Sequence, residues 1–332
     1  MSISFDLGII VIASVVIYFA GSKFAVASSR LGDYLKLPRS VKGATFDAVS
    51  SSMPELMIAL FSVIFFGKFE VGVGTIAGSA LFNLLIIPAI CVLVSPVVFK
   101  VSKEIIHRDG MFYIMAVFTL LVTLVYFQEW GYIIPIVLFL MYLWYFKVIL
   151  KHTKIHKESL TKIGKSTEKS IHLLKEIGVA LLTVAVMGVA TYFMTDSAIS
   201  FSEAIGVPAI IIAFTVIAAA TSIPDAVVSI ANARKGDIDD AASNVFGSNI
   251  FDIFIGLSLP VIIGVALTGS VTIVFQNLEI IFGLMGATIL VLYFLAESHT
   301  LTRRKAWFML FMYAVFLVYV FFLSTKGVTV AY

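Results

Sequence analysis

Two short motifs each place a proline directly before an acidic residue inside a long apolar segment. The first, SSSMPEL, contains Pro54 and Glu55, and the second, AATSIPDAV, contains Pro224 and Asp225. Proline has no backbone N–H, so each ring leaves a carbonyl one turn earlier without its helical partner. A carboxylate at the centre of a membrane helix costs at least about 2.5 kcal/mol even on the lenient insertion scale. The two motifs therefore predict oxygen-rich sites that need a positively charged partner.

A second pair of motifs supplies further oxygen atoms. GTIAGSALFNLL contains Ser79 and Asn83, and SNVFGSNIFDIF contains Ser248 and Asp252. A spacing of four residues places both side chains of each pair on one face of a helix. The predicted centre then has three carboxylates and one neutral amide, with hydroxyls beside the prolines: Glu55, Asp225, Asp252 and Asn83, with Ser50, Ser51, Ser52, Thr221 and Ser222.

The chemistry of these side chains favours a hard cation. The four motif-bearing segments carry no lysine or arginine at matching depth, so the neutralising charge must come from outside the chain. Calcium binds six to eight oxygens at about 2.3–2.6 Å and tolerates irregular cages, whereas magnesium retains its waters. Thiolates and imidazoles are absent from the motifs, which argues against zinc or copper. We therefore expect a hard cation such as Ca²⁺ at this centre, and no cofactor.

The motifs form an internal repeat. Three residues of the first block match the second at an offset of 170, and four residues of the next block match at 169: Ser52, Pro54 and Glu55 with Ser222, Pro224 and Asp225; Gly78, Ser79, Phe82 and Asn83 with Gly247, Ser248, Phe251 and Asp252. A lone membrane proline is often only a kink, and a lone serine usually bonds its own helix. Two matched blocks in one order are poorly explained that way and are typical of transporters.

Composition places the chain among membrane proteins. It has 332 residues, of which 60% are hydrophobic and 13% charged, and its mean hydropathy is +1.06. The single cysteine, Cys91, excludes an internal disulfide framework. A span needs roughly 20 apolar residues. The sequence predicts an all-α membrane protein of ten transmembrane helices, near residues 4–28, 38–66, 71–98, 105–127, 130–150, 174–196, 204–233, 240–268, 275–297 and 303–324.

Basic residues predict the orientation. With the N-terminus outside, almost every lysine and arginine falls in an inner loop, as the positive-inside rule requires; the outer loops hold only Lys68 and Lys326. We expect residues 1–150 and 174–332 to form two five-helix repeats, with alpha motifs at 43–90 and 213–260. The polar stretch 151–173 would be a solvated cytoplasmic loop. Because five is odd, the second repeat is inverted and both termini lie outside.

The motifs resemble the two alpha-repeats of the calcium/cation antiporter superfamily, and the ten-helix plan fits the whole chain. GTIAGSALFN and ATSIPD with SNVFGSNIFD are most similar to the potassium-dependent sodium/calcium exchangers. The resemblance implies antiport of Ca²⁺ against Na⁺, with or without K⁺, and Glu55 and Asp225 as central calcium ligands. It further implies oxygens from Ser51, Ser52, Thr221, Ser222 and the carbonyls of Ala48 and Ala218, with Ser79, Asn83, Ser248 and Asp252 on the sodium side.

Two residues depart from the family pattern. Ser51 stands where the sodium-only branch usually has threonine, and Asp47 replaces an apolar residue. Asp47 precedes Ser51 by four residues and Glu55 by eight, so it lies on the same helix face. It either lines an inner access path or sits in a wet vestibule. The inner loop is too short for the regulatory calcium-binding domains of animal exchangers.

Three other functions compete with sodium/calcium exchange. A calcium/proton antiporter on the same scaffold is the nearest alternative. A channel would conduct without exchange, which the broken, asymmetric site argues against. An intramembrane serine protease needs a histidine in the spans, yet all five histidines lie in or beside loops, so we expect no enzyme. We also expect a prokaryotic plasma (inner) membrane location, contact with lipid, no nucleic-acid partner and no obligate protein partner.

Overall fold

The computed structural model describes residues 3–37, 39–160, 173–273 and 278–326, and they form a helical membrane protein. Eight helices are long and apolar enough to cross a membrane, and two bent pairs bring the number to ten among the described residues. The order is α1 (Ile3–Tyr34), α2 (Gly43–Ser51 and Met53–Ile64), α3 (Phe69–Val94), α4 (Lys103–Tyr126), α5 (Ile133–Leu160), α6 (Leu173–Ile205), α7 (Ala209–Thr221 and Ile223–Arg234), α8 (Ile238–Thr268), α9 (Leu278–Ser298) and α10 (Arg303–Lys326).

The two acid–proline motifs lie where α2 and α7 break. The arms of α2 bend by 49° and those of α7 by 41°. Each break falls at a serine in the bridge region of backbone space, with φ −86° and ψ 3° at Ser52 and φ −75° and ψ −2° at Ser222. The proline two residues later removes the N–H that would continue the ladder. The predicted kinks at the motifs are therefore confirmed, at matching positions in the two halves.

A π-helical turn precedes each break. The turns are Gly43–Asp47 in α2 and Ala213–Ile217 in α7, so they lie 170 residues apart. π-helical turns are rare and occur frequently at functional sites. The repeat therefore extends beyond the matched side chains to the local backbone conformation.

The most buried helices are α3 and α8, which carry the second pair of motifs. In their most apolar windows 78% and 72% of residues are buried, against 28% in both α1 and α6. Gly78 and Gly247 bring the two halves together: a Cβ on Gly78 would collide with the carbonyl oxygen of Phe214, and one on Gly247 would lie 2.9 Å from the Cα of Ala44. Small residues let membrane helices approach this closely. Each broken helix thus packs against the buried helix of the opposite half.

The peripheral helices α1 and α6 pack against each other along their lengths. They are longer than the sequence predicts, at 32 and 33 residues. At 1.5 Å per residue each measures about 48–50 Å, which exceeds a hydrocarbon core of about 30 Å. Such helices project beyond the apolar layer or tilt within it.

Two short strand pairs each join a segment of the first half of the chain to a segment of the second half. Phe99–Lys100 (β1) pairs antiparallel with Thr300–Leu301 (β4), and Glu129–Trp130 (β2) pairs with Val271–Thr272 (β3). The two-residue strands lie outside the helical spans and were not predicted. They satisfy backbone groups in the connections between helices.

The polar stretch 151–173 differs from the sequence expectation. Helix α5 extends into this stretch and ends at Leu160, ten residues beyond the predicted end of the fifth span. Helix α6 begins at Leu173. A polar sequence can continue a helix that an apolar segment has already nucleated, because each added residue contributes one hydrogen bond. Residues 161–172, the remainder of the predicted loop, lie outside the described ranges.

Candidate cation site

The candidate site lies where the breaks of α2 and α7 meet the middle of α3 and α8. Helix α8 packs against both arms of α2 and the second arm of α7, while α3 packs against α7 and the second arm of α2. All ten predicted side chains are fully buried in the protein: Glu55, Asp225, Asp252, Asn83, Ser51, Ser52, Thr221, Ser222, Ser79 and Ser248. None of them faces the surface that lipid would cover.

Each acid of a broken helix accepts a hydrogen bond from the serine of the buried helix in its own half. Ser79 donates to Oε1 of Glu55 over 3.2 Å, and Ser248 donates to Oδ1 of Asp225 over 2.6 Å. Ser79 and Ser248 are repeat partners, as are Glu55 and Asp225. The two motifs therefore build the same contact twice.

Further hydrogen bonds cross between the halves. Asn83 donates from Nδ2 to Oδ2 of Asp225 over 2.8 Å, and the Ser222 hydroxyl donates to Ser79 over 2.9 Å. The Ser51 and Ser248 hydroxyl oxygens lie 3.4 Å apart. Because Asn83 Nδ2 also lies 3.4 Å from the Ser79 hydroxyl, these contacts connect Glu55 with Asp225, and the two acid–proline motifs share one polar centre.

Four buried oxygen atoms at this centre lack a hydrogen-bond donor among the described residues. They are Oε2 of Glu55, both carboxylate oxygens of Asp252 and Oδ1 of Asn83. Asp252 also lies within electrostatic range of Glu55 and Asp225. A buried acceptor without a partner costs about 1–3 kcal/mol, and more when it is charged. Such a set of oxygens fits the donor preference of a hard cation.

The hydroxyls beside the breaks donate to their own helices. Ser51 donates to the carbonyl of Asp47 over 2.8 Å, and Thr221 donates to that of Ile217 over 3.1 Å. Because each hydroxyl proton is used in this way, the oxygen lone pairs remain available as acceptors. Ser51 and Thr221 can therefore contribute neutral oxygens to a cation.

The carbonyls of Ala48 and Ala218 already accept hydrogen bonds. Each accepts the backbone N–H four residues later over 3.0 Å, and each lies within hydrogen-bond distance of a hydroxyl, 3.2 Å for Ser51 and 3.3 Å for Thr221. A carbonyl oxygen has two lone pairs. Since each hydroxyl donates its single proton at shorter distance to Asp47 or Ile217, one lone pair of each carbonyl stays available to a cation.

The centre is a mixed site rather than a carboxylate cage. Within the described ranges, no three histidine, cysteine or acidic side chains are grouped closely enough to hold a metal ion by themselves. Neutral oxygens from serine, threonine and asparagine must complete any coordination shell here. This composition suits ions that are bound and released, because fewer fixed charges hold the ion.

Two buried amides, Asn249 and Asn244, were not predicted from the sequence. Asn249 accepts from Nδ2 of Asn83 over 3.1 Å and donates to the carbonyl of Ala80 over 3.1 Å. Asn244 donates to Ser229 over 3.0 Å, and its Oδ1 atom has no donor among the described residues. The repeat counterpart of Asn249 is Ala80, so a search for matched polar residues overlooks it. Its place beside Ser248 in GSNIFD is the signal that could have identified it.

Asp47 lies at the end of the π-helical turn of α2, and it is only 4% exposed. Lys42 and Lys235 are within electrostatic range of its carboxylate. Its carbonyl accepts the hydroxyls of Ser50 and Ser51 over 2.9 and 2.8 Å. Asp47 therefore belongs to the backbone network that shapes the break, and both interpretations of its carboxylate stay predictions.

Known proteins are similar to this chain over most of its length. Residues 5–151 and 175–322 match the family model described as sodium/calcium exchanger protein. Inner membrane protein YrbG of Escherichia coli (strain K12) is 25% identical over 262 residues, which are 77% of this chain and 79% of that protein. Sodium/potassium/calcium exchanger 3 of Homo sapiens is 37% identical over 134 residues, which are 40% of this chain but 20% of the human protein.

A solved structure shares the fold. The sodium-calcium exchanger NCX_Mj, soaked with 100 mM Na⁺ and 10 mM Sr²⁺, matches with a TM-score of 0.66 and 19% sequence identity. The match covers 95% of this chain and 98% of that one. The predicted fold class is therefore confirmed over nearly the entire chain.

Proposed function

Because this chain belongs to the sodium/calcium exchanger protein family, we propose that it is a secondary active antiporter that exchanges Ca²⁺ for Na⁺ across a membrane. The resemblance to calcium/cation antiporters drawn from the motifs is confirmed by this membership. The single observation that carries the proposal is the set of donor-free buried oxygens on Glu55, Asp252 and Asn83. They lie between two kinked helices that bear no lysine or arginine near the site.

The proposed ligands follow from the contacts at the breaks. Glu55 and Asp225 are the central Ca²⁺ ligands, because they are the acids at the two kinks. The contact between Ser79, which bonds Glu55, and Asn83, which bonds Asp225, links them. Asp252 and Asn83 contribute charge and a neutral oxygen on the monovalent side. The remaining oxygens come from hydroxyls and two carbonyls: Ser51, Ser52, Thr221, Ser222, Ser79, Ser248, Ala48 and Ala218.

Exchange follows from competition for the same carboxylates. Either one Ca²⁺ or several Na⁺ ions neutralise the buried centre, whereas the empty, charged centre is costly to move through a low-dielectric region. Only a loaded centre then becomes exposed to the opposite side, so the two fluxes are coupled. The inverted relation of the halves supports this alternation, because each side of the membrane meets the same arrangement.

The helices α1 and α6 are the proposed moving part. They are mostly exposed, whereas α3 and α8 are mostly buried and are fixed by close glycine contacts. A peripheral pair that slides across a rigid core would open the centre to one side at a time.

We further propose that K⁺ takes part in the exchange. The segment shared with sodium/potassium/calcium exchanger 3 is 37% identical, and that name describes transport of K⁺ by the human protein. On this proposal K⁺ binds near Asp225 and Asp252. Calcium uptake that rises when K⁺ accompanies Ca²⁺ would support it, and uptake independent of K⁺ would exclude it.

The proposed orientation has both termini outside and the basic stretch 151–173 in the cytoplasm. It rests on the concentration of lysine and arginine in alternate loops. On the same proposal, residues 1–150 and 174–332 are the two inverted repeats, with alpha motifs at 43–90 and 213–260. A prokaryotic plasma membrane is the proposed location. Cysteine labelling of a residue in 161–172 from either face of right-side-out vesicles tests the orientation.

Ion-gradient exchange in proteoliposomes tests the function. Purified protein is reconstituted, and ⁴⁵Ca²⁺ uptake is measured with outward Na⁺, K⁺ or H⁺ gradients imposed in turn. We expect uptake with the Na⁺ gradient and its loss in Glu55→Gln, which keeps the side-chain shape but removes the charge. Glu70→Gln is the matched control, because Glu70 lies in the first turn of α3, outside the site.

Two outcomes oppose the proposal. Uptake driven by H⁺ and not by Na⁺ would identify a calcium/proton antiporter instead. Unchanged Na⁺-driven uptake in Glu55→Gln, with intact folding by size-exclusion chromatography, would show that the site is assigned to the wrong residues.

A further inference from the structure

The polar centre has two sides that the repeat relates to each other. One side holds the first arm of α2, the second arm of α7 and the start of α8, and it is termed the Lys235 side. These elements meet there, because Lys235 is within electrostatic range of Asp47 and a Cβ on Gly43 would lie 3.2 Å from the carbonyl oxygen of Asp240. The opposite side holds the repeat counterparts of these elements, so the two sides can be compared residue by residue.

The opposite side is closed by an apolar cluster that the Lys235 side does not repeat. The cluster includes residues of the second arm of α2, of α3, of α6 and of the first arm of α7: Ile58, Val71, Ala198, Ile199, Ile212 and Ile217. At the same offsets of 169 and 170, their counterparts on the Lys235 side are Val228, Asp240, Ser28, Ser29, Lys42 and Asp47. Five of these six counterparts are polar or charged, so the two sides differ in chemistry although they share one fold.

Polar contacts hold α1 against α2 on the Lys235 side. Lys42 contacts Asp33 at 2.9 Å, and the Ser28 hydroxyl donates to the carbonyl of Phe46 over 2.8 Å. Polar groups that separate can bond water instead, whereas the separation of an apolar cluster exposes hydrocarbon to water. The Lys235 side is therefore the less costly one for water and a hydrated cation to enter.

Asn244 lies between this entrance and the centre. It precedes Ser248 by four residues and Asp252 by eight, so the three side chains form one row on α8. Four residues correspond to about 6 Å along the helix axis, which places Asn244 one turn from the serine that bonds Asp225. Asn244 is fully buried. The row of oxygen-bearing side chains thus continues from the centre toward the Lys235 side.

The contacts of Asn244 fix the direction of its amide. Nδ2 donates to the Ser229 hydroxyl over 3.0 Å and lies 3.4 Å from the backbone carbonyl oxygen of Asp225. Because a carbonyl oxygen can only accept, the nitrogen must face α7. The amide oxygen, Oδ1, is then left without a donor among the described residues. A buried acceptor in this state costs free energy that a cation or a hydrogen-bond donor would recover.

The opposite side has no equivalent amide at the matching position. The counterpart of Asn244 is Thr75, whose hydroxyl donates to the carbonyl of Val71 in its own helix over 2.9 Å. The counterpart of Ser229 is Ala59, which cannot hold a polar side chain in place. The buried amide oxygen is therefore a feature of the Lys235 side.

We propose that Oδ1 of Asn244 is an additional cation ligand on the Lys235 side, where it holds a Ca²⁺ or Na⁺ ion one helix turn before the ion reaches Asp225. The inference rests on the proposed exchange function. A hard cation prefers oxygen ligands, and a neutral amide oxygen replaces part of the hydration shell without adding a fixed charge that would retain the ion. Because Thr75 replaces Asn244 on the opposite side, the effect of Asn244 is confined to ions that enter from one face of the membrane.

Calcium uptake from each face of the membrane tests the proposal. Inside-out and right-side-out vesicles are prepared from cells that express the full chain, and initial rates of Na⁺-driven ⁴⁵Ca²⁺ uptake give an apparent KM for Ca²⁺ on each face. Labelling of Lys235→Cys with a membrane-impermeant maleimide identifies the face that corresponds to the Lys235 side. We expect Asn244→Ala to raise the KM several-fold on this face and to change it less than twofold on the other.

Two further variants separate a ligand from a residue that only positions Asp225. Asn244→Asp retains an oxygen but loses the nitrogen that faces α7, so it should keep the KM at or below the wild-type value. Thr75→Ala, at the mirrored position, is the matched control and should leave the KM on the Lys235 face unchanged. Size-exclusion chromatography verifies that each variant is folded.

Three results would overturn the inference while the exchange function stands. They are an unchanged KM in Asn244→Ala, an equal rise on both faces, and an Asn244→Asp variant as impaired as Asn244→Ala. An equal rise on both faces would instead assign Asn244 to the positioning of Asp225, which serves both faces. Absence of Na⁺-driven uptake by the wild type on either face would overturn the proposed function, and this inference with it.

Discussion

Asn83 donates a hydrogen bond from Nδ2 to Oδ2 of Asp225 over 2.8 Å, across the boundary between the two halves of the chain. The same nitrogen also lies 3.1 Å from Oδ1 of Asn249. Its own oxygen, Oδ1, has no donor among the described residues. Asn83 therefore holds one carboxylate in place with its nitrogen, while its oxygen stays available as an acceptor.

Replacement of Asn83 should weaken calcium binding without unfolding the protein. Asn83→Ala removes the donor that orients Asp225, a proposed Ca²⁺ ligand. We therefore expect the apparent KM for Ca²⁺ to rise about tenfold, as for the loss of one charge-assisted hydrogen bond. Initial rates of ⁴⁵Ca²⁺ uptake over a range of Ca²⁺ concentrations measure the effect. Asn232→Ala, on α7 outside the centre, is the control. An unchanged KM would remove Asn83 from the site.

The crossing of the halves depends on two glycines with equivalent roles. A Cβ on Gly78 would lie 2.7 Å from the Cβ of Ala218, and one on Gly247 would lie 3.1 Å from that of Ala48. We expect Gly78→Ala and Gly247→Ala to destabilise the fold by about 1–3 kcal/mol each through overpacking. Because its contacts are closer, Gly78→Ala should have the larger effect on the midpoint of thermal unfolding in detergent.

The control for the glycine variants is Gly286→Ala on α9. A Cβ there meets nothing within 4 Å. Since alanine is a better helix former than glycine by about 1 kcal/mol, this variant should unfold at the same or a higher temperature. If Gly78→Ala also raised the midpoint, close packing of α3 against α7 would not stabilise the native state.

The sequence predicted the fold and most of the centre because the signals were local or repeated. Long apolar runs identify spans, and the matched blocks identify Glu55 and Asp225 without any knowledge of distance. The cross-half contacts of Asn249 and the strand pairs were not predictable, since they depend on how separate segments meet. Likewise, the extension of α5 to Leu160 depends on helix propagation through polar sequence, which hydropathy does not report.

The availability of the proposed ligand carbonyls depends on contacts that the sequence pattern does not specify. The sequence identifies which helices carry prolines, and therefore which carbonyls lose their ladder partners. It does not show that the carbonyls of Ala48 and Ala218 each accept a backbone N–H and also lie within hydrogen-bond distance of a nearby hydroxyl. Rotation of a hydroxyl decides whether such a carbonyl is free, and that rotation depends on the contents of the site.

A buried ion pair outside the centre should be important for stability. Arg108 donates to both carboxylate oxygens of Asp109 over 2.7 and 2.8 Å, and Tyr145 and Ser243 also donate to this carboxylate over 3.1 and 3.3 Å. Asp109 is fully buried and Arg108 is 5% exposed. Asp109→Asn leaves the buried guanidinium without its paired carboxylate, and the exposed Glu104 at 3.7 Å compensates it only weakly. The change should therefore cost about 3–5 kcal/mol.

Thermal unfolding in detergent measures the effect of Asp109→Asn. The matched control is Glu104→Gln, because Glu104 lies 3.7 Å from the same arginine but is exposed. Surface ion pairs contribute about 0–1 kcal/mol, so this control should unfold near the wild-type temperature. Equal midpoints for the two variants would mean that the buried Arg108–Asp109 pair contributes no more to stability than the Arg108–Glu104 contact.

The ends of the α1–α6 pair carry two acid–donor contacts that are related by the repeat. Arg30 contacts Glu176 at 2.8 Å, and Ser200 contacts Asp6 at 3.0 Å; Glu176 and Ser200 lie 170 residues after Asp6 and Arg30. The Glu176 side chain is 10% exposed and that of Arg30 is 55% exposed. Arg30→Ala leaves the nearly buried Glu176 carboxylate without its cation, whereas Glu176→Gln removes that charge. Arg30→Ala should therefore destabilise the protein more than Glu176→Gln. Unfolding midpoints at low and high salt measure the difference. A larger loss in Glu176→Gln would indicate that the carboxylate is held by contacts other than Arg30.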